Sequence, residues 1–334
     1  MIKDIDYKAI NTLIRTYELK LLQKDDFERL LKADDLKATL DTLKATDYEF
    51  DQEELLQTKQ FNEMLMAHLA DVYREMYEVA PKPQLLDLFT LRYTYHNLKV
   101  LLKDLFLESN QETLLIPIGS LSVDQLKTLV SSGKNDNAHP LMVEAVRLTK
   151  EDFEERQLIE AVTVYMDTYY LRHLRAISDD LQNEDISAIT DILIDLYNLT
   201  ALVRSLNQGK PRSHLHALLS SSGTVSKQDL IDDSINGAVS VLKKYYSSKV
   251  YGSKLEVVIE DNKINTLKLD KIMDELISEI VSEGIYQAFG PMPLLGYIYA
   301  KETEITNLRL LLVGKDNQID ETILRERMRT IYGA

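Results

Sequence analysis

The sequence predicts an all-α protein built from three similar helical units. Its 334 residues include only 11 glycines and 7 prolines, and hydrophobic residues make up 45% of the chain. Residues that break helices are therefore scarce, while apolar side chains suffice for a large core. Apolar side chains also recur at helical offsets through most of the chain, whereas the alternation typical of strands is almost absent.

A repeated motif supports the division into three units. The pattern Asn-Leu-x-x-Leu occurs inside predicted helices at Asn97, Asn198 and Asn307, about a hundred residues apart. We therefore expect three helical units, covering residues 1–115, 116–220 and 221–334. Three such units could form an open array. They could also close around a pseudo-threefold axis with a central hollow, since arrays that stay open usually have shorter repeats.

Each motif is followed by a loop and then by a residue suited to cap a helix. Ser122, Ser226 and Asp320 have short side-chain oxygens that can accept a hydrogen bond from a first helical turn. The predicted helices are 25–44, 53–79, 84–107, one from Ser122, 151–179, 186–206, 226–246, 255–283, 293–313 and 320–331. The segment 255–259 is also compatible with a short strand.

The repeated asparagines suggest a shared role, because an asparagine inside a helix costs helix propensity. Either each makes a hydrogen bond between helices within its unit, or the three line a shared axis and meet a partner. Tyrosine is abundant, with 18 residues, whereas tryptophan is absent. Tyr297 and Tyr299 could pack in the core and still present a hydroxyl group at an interface.

The charge and composition limit the class of partner. Lysine and arginine total 39 against 54 acidic residues, a net charge of −15. Such a surface repels phosphate backbones, which argues against nucleic acid, and favours basic protein partners. The absence of cysteine excludes disulfides and thiolate ligands. The polar N-terminus and the lack of an apolar run of about 18 residues predict a cytosolic protein that does not span the bilayer.

The sequence contains none of the common catalytic or nucleotide-binding motifs. It contains no phosphate-binding loop, no nucleophile elbow and no His-Glu-x-x-His. His214 and His216, on a predicted loop, are the nearest approach to a metal site, but two histidines at this spacing favour a solvated loop. His68 and His173 are expected to be hydrogen-bonded structural histidines. We therefore expect no cofactor and no active site; a hydrolase using paired carboxylates would require a concave pocket that no sequence feature predicts.

The C-terminal segment carries the most specific motif. It begins Tyr297-Ile-Tyr299-Ala-Lys-Glu302-Thr-Glu304-Ile-Thr-Asn307-Leu-Arg309, and Arg325-Glu-Arg327-Met-Arg329 follows. This segment resembles the family of the C subunits of rotary V/A-type ATPases, the prokaryotic counterparts of the d subunit of the eukaryotic vacuolar ATPase. Residues 43–48 and 87–103 look like the first unit of the same family, so the resemblance covers nearly the whole chain.

The resemblance implies a funnel of three similar helical domains and a non-catalytic function. Its members would link the axle of the catalytic head to the membrane rotor ring on the cytoplasmic face, for ATP-coupled ion transport. The subunits of the ring and of the axle are then the expected partners. Glu302, Glu304, Asn307 and Arg309 match the family only as signature residues. The alternative is a helical-repeat binding scaffold unrelated to rotary motors.

Overall fold

The computed structural model describes residues 3–331, and most of these residues are helical. Sheet structure among them is limited to one hairpin of two-residue strands, β1 (Ile259–Glu260) and β2 (Lys263–Ile264). The predicted all-α class is therefore confirmed. The pseudo-threefold arrangement of three units remains a prediction.

The α-helices of the described residues follow in chain order. The first nine are α1 (Lys8–Glu18), α2 (Lys24–Lys32), α3 (Leu36–Leu43), α4 (Gln52–Thr58), α5 (Phe61–Val79), α6 (Gln84–Leu107), α7 (Val123–Ser132), α8 (Pro140–Arg156) and α9 (Glu160–Leu181). The others are α10 (Glu184–Asn207), α11 (Arg212–Leu218), α12 (Lys227–Asp233), α13 (Ala238–Val241), α14 (Gly252–Leu255), α15 (Thr266–Ser282), α16 (Met292–Asp316) and α17 (Glu321–Arg327).

Several predicted helices are interrupted in the structure at residues whose type does not predict a break. Lys59, with φ 58°, separates α4 from α5, and Gln157, with φ 55°, ends α8 before α9. Both adopt the left-handed conformation that usually calls for glycine. Asp35 divides the predicted helix 25–44, because its carboxylate accepts a hydrogen bond from Ala38 N and starts α3.

The predicted helices 226–246 and 255–283 differ most from the structure. The first is divided into α12, α13 and a π-helical turn, Leu242–Tyr246, with a break at Gly237 (φ 85°). The second becomes the short helix α14, the β1–β2 hairpin and α15. The strand considered for 255–259 therefore exists only at its last residue, Ile259, which pairs with Ile264.

The described residues fold as two compact units. One comprises residues 84–277, and the other joins 3–83 to 278–331. In the first, α9 packs against α6, α8, α10 and α11; in the second, α16 packs against α1, α3, α5 and α17. This grouping follows packing, whereas the predicted ranges 1–115, 116–220 and 221–334 follow the sequence repeat, and that threefold division stays a prediction.

One helix of the described residues, α10, is long and apolar enough to cross a membrane, although the sequence predicts no span. However, 61% of its most apolar window is buried inside the protein. It also carries Asp195, which is fully buried and accepts a hydrogen bond from Thr224 N at 2.7 Å. A buried core helix has the same length and composition, and packing accounts for the apolar character of α10.

Candidate functional site

Asn97 and Asn198 each bind the backbone of the segment that follows their helix. Asn97 Nδ2 donates to the carbonyl oxygen of Ile116 at 2.6 Å, and its Oδ1 accepts from Ile116 N at 2.9 Å. Asn198 makes the same pair with Ser220, at 2.9 and 2.8 Å. A side-chain amide carries N–H donors and a carbonyl acceptor, so it can pair with both the N–H and the C=O of one residue, as a residue of a neighbouring strand would.

Asn307 repeats this arrangement in the other compact unit. Its Nδ2 donates to the carbonyl oxygen of Arg329 at 3.0 Å, and its Oδ1 accepts from Arg329 N at 2.8 Å. We call each such pair an asparagine clamp. All three asparagine side chains are buried. The predicted hydrogen bonds therefore exist, but their partners are backbone groups of a later loop rather than a neighbouring helix, which corrects the sequence-based interpretation.

The three predicted cap residues do begin helices. Ser122, Ser226 and Asp320 each accept a backbone hydrogen bond at the start of α7, α12 and α17 respectively. Their equivalence across the repeat is nevertheless wrong for Asp320. Helix α11 lies in the chain between Asn198 and the residue it clamps, Ser220. Helix α17 lies in the same way between Asn307 and Arg329. Helix α17 therefore corresponds to α11, and not to α7 or α12.

Glu304 and Lys301 form a buried ion pair on α16. Their atoms Oε1 and Nζ are 2.6 Å apart, and the two side chains are only 3% and 4% exposed. The carboxylate also accepts hydrogen bonds from Tyr48 Oη and from Leu22 N, each at 2.6 Å. Burial, followed by the negative charge of Glu304, raises the pKa of Tyr48 well above its usual value, so its phenol stays protonated and donates.

The other signature residues of α16 also lie inside this unit. Glu302 accepts a hydrogen bond from Tyr73 Oη at 2.7 Å. The ring of Tyr297 stacks on Tyr17 with 5.7 Å between centroids, and burial raises the pKa of Tyr297. Arg309 Nη2 lies 3.1 Å from the sulfur of Met66.

Tyr299 is 8% exposed, and 19 of the 25 residues of α16 are buried. The described contacts of the signature residues therefore hold α16 within its own unit. Contact with a partner remains a prediction for Asn97, Asn198 and the α16 residues. The burial of two glutamates on this helix was not evident from the sequence, because glutamate usually lies on exposed helix faces.

His173 is a buried structural histidine, as predicted. Its ring stacks on His139 with 4.0 Å between centroids, and its Nδ1 lies 3.3 Å from Tyr95 Oη. Burial, and secondarily the charge of His139, lowers the pKa of His173 to about 3. His68 is packed on Tyr48, with 4.4 Å between ring centroids, but its buried Nε2 makes no hydrogen bond within residues 3–331, so that part of the expectation is wrong.

The lowered pKa of His173 predicts a loss of stability in mild acid. The unfolded chain takes up a proton near the ordinary pKa of about 6.5, whereas the folded protein does not until about pH 3. The free energy of unfolding should therefore fall by about 2 kcal/mol between pH 7 and pH 5 through this group. Urea denaturation of the wild type and His173→Phe at both pH values measures it; the pH-dependent loss should be smaller in His173→Phe and unchanged in the exposed control His216→Phe. An equal loss in all three proteins would contradict the assignment.

The structure places His214 and His216 on helix α11 rather than on a loop. Neither joins a cluster of potential ligands, since no group of three or more His, Asp or Glu side chains converges anywhere in the described part of the chain. The candidate residues therefore divide between two features, the asparagine clamps and the buried cluster of α16. Both features hold helices and loops together through buried polar contacts.

The sequence pattern that defines the family described as ATP synthase (C/AC39) subunit matches residues 10–327. The chain belongs to this family. The C subunit of a V-type sodium ATPase from Enterococcus hirae is 30% identical over 334 residues, which cover 98% of this chain and 99% of the relative. The C subunit of an A-type ATP synthase from Methanocaldococcus jannaschii is 25% identical over 331 residues, covering 92% and 82% of the two chains.

More distant family members also match along most of the chain. The C subunit of an A-type ATP synthase from Desulfurococcus is 21% identical, and the match covers 96% of this chain and 90% of the relative. The family predicted from the C-terminal motif is thereby confirmed. Because the family pattern runs from α1 to the end of α17, both compact units belong to the family, and neither is an added domain.

Proposed function

We propose that this chain is the non-catalytic central-stalk subunit of a rotary V/A-type ATPase. In this function it links the axle of the catalytic head to the membrane rotor ring, on the cytoplasmic face of the membrane, and so couples ATP hydrolysis or synthesis to ion transport. The observation that carries the proposal is the match along almost the entire chain to the C subunit of a V-type sodium ATPase. A scaffold unrelated to rotary motors would not be expected to match at both ends.

The internal structure suits a part that transmits torque. An adaptor must not yield internally when its two ends are loaded, so its segments have to be fixed to one another. The asparagine clamps tie loops to the long helices α6, α10 and α16, each by two hydrogen bonds. The Lys301–Glu304 pair ties α16 to Tyr48 and to the backbone of Leu22. Buried polar groups that are joined by hydrogen bonds in this way favour a rigid and specific fold.

The charge of the chain is consistent with contact at a basic protein surface. With a net charge of −15, it should be drawn to positively charged regions of the axle or ring, and association should be faster at low salt. The coupled ion is selected in the ring, outside this chain.

The test is a pair of measurements on the ATPase complex rebuilt in vesicles with and without this chain. Without it, the soluble head should continue to hydrolyse ATP, because the proposal places the active sites elsewhere. ATP-driven ion uptake should fall to the level of vesicles without ATP, since nothing then connects axle and ring. Adding the purified chain back should restore uptake. Uptake at the normal rate in its absence would show that the chain is not the coupling element.

A further inference from the structure

A cavity of about 410 Å³ lies within the unit formed by residues 84–277. Its walls come from α9, α10, α11 and α15. The apolar part of the lining consists of Leu171, Leu193, Leu196, Ala201, Leu218 and Met273. This volume and this mainly apolar wall are typical of sites for small molecules. The cavity contains no asparagine clamp and no part of the α16 cluster, so it has no role in the features described above.

Two polar side chains of the lining have unused hydrogen-bonding capacity. Ser205 is 3% exposed, and its hydroxyl has no partner among the described residues. A buried hydroxyl without a partner is costly, but the oxygen of Ser205 has almost no accessible area and so does not face the open space of the cavity. The guanidinium of Arg204 makes no hydrogen bond within residues 3–331; its nearest carboxylate oxygen, on Asp270, is 3.8 Å away. Of these two neighbours on α10, Arg204 therefore supplies the group that can meet a ligand, a cation at the rim of the cavity.

We propose that this cavity binds a single-chain anionic amphiphile of the size of a medium-chain fatty acid. Arg204 has five N–H donors and no acceptor, so the matching head group must accept hydrogen bonds, and a carboxylate accepts two from a guanidinium at once. The hydrocarbon chain would lie against the apolar wall, where its burial is favourable.

Asp270 opposes this binding, since it carries a negative charge at the same rim. The side chains of Arg204 and Asp270 are 60% and 44% exposed, and ion pairs between such exposed groups contribute little. A ligand carboxylate at hydrogen-bond distance can therefore replace Asp270 as the main partner of Arg204. Removal of the Asp270 charge should accordingly tighten binding.

The experiment is calorimetric titration of the full chain with decanoate, independent of any ATPase complex. Decanoate should bind saturably at one site. Decanol, which lacks the charge, and butanoate, which lacks the chain, should each bind at least tenfold more weakly. Arg204→Gln should weaken decanoate binding about tenfold to a hundredfold, because it removes charge-assisted hydrogen bonds. Asp270→Asn should strengthen binding several-fold.

Two further variants separate the site from general effects of mutation. Ala201→Phe should abolish binding by filling the cavity, and Arg74→Gln, an exposed arginine of the other compact unit, should leave binding unchanged. Circular dichroism checks that each variant is folded. The proposal is overturned if decanoate does not bind saturably, or if folded Arg204→Gln and Ala201→Phe bind it as tightly as the wild type. Because the titration needs only the isolated chain, its outcome does not depend on the proposed coupling function.

Discussion

Replacing Glu304 by leucine is expected to lower the free energy of unfolding by about 3–5 kcal/mol. The substitution would leave the ammonium group of Lys301 buried with no counter-charge, and an isolated buried charge costs several kcal/mol. It would also deprive Leu22 N and the hydroxyl of Tyr48 of their acceptor. Urea denaturation, with hydrogen exchange of the α16 amides as a local probe, measures the effect.

The double variant Lys301→Met/Glu304→Leu is the control for this explanation. If the cost comes from the uncompensated charge, removing Lys301 as well should recover much of the lost stability, since paired apolar replacements of buried ion pairs are often tolerated. Exchange of α16 should slow accordingly. A double variant less stable than Glu304→Leu alone would mean that the carboxylate matters for its shape and hydrogen bonds and not for its charge.

Replacing Asn198 by leucine is expected to cost about 2–4 kcal/mol. The side chain is completely buried, and the change would leave both the N–H and the carbonyl group of Ser220 without their present partner. Helix α10 itself should persist, because leucine has a higher helix propensity than asparagine. The loss of stability should therefore appear as faster hydrogen exchange of the Ser220 amide and as a lower urea concentration at the denaturation midpoint.

Asn207 provides a matched control in the same helix, because it is exposed. Asn207→Leu should change the free energy of unfolding by no more than about 0.5 kcal/mol, as is usual for surface substitutions. Asn97→Leu and Asn307→Leu should resemble Asn198→Leu, since the same pair of hydrogen bonds is lost. If Asn198→Leu proved as mild as Asn207→Leu, the clamp would contribute nothing to stability.

The sequence predicts the long helices well and their interruptions poorly. Helix α6 has the predicted bounds, because no glycine or proline interrupts the chain between the connector at Pro83 and Leu107. The ends at Lys59 and Gln157 could not be anticipated, because each residue caps its helix in a left-handed conformation that lysine and glutamine rarely adopt.

The sequence also identifies the asparagines as special without revealing what they bind. Their cost inside a helix is a local property and can be read from the chain, whereas their partners depend on how a loop folds back. The misplaced equivalence of Asp320 has the same origin, because a cap residue marks the start of a helix but not which helix it is. The cavity beside Arg204 could not be predicted at all, since it depends on the packing of four helices.

The spacing of the clamps bears on how this architecture tolerates change in length. The clamped residue lies 19 positions after Asn97 but 22 positions after both Asn198 and Asn307. The first loop contains a short 3-10 turn where the other two contain the helices α11 and α17. The same two hydrogen bonds thus close loops of different length and content. In such a protein the loop between an asparagine and its clamped residue can gain or lose residues. The clamped residue stays attached to the helix, so the chain after it continues from the same place.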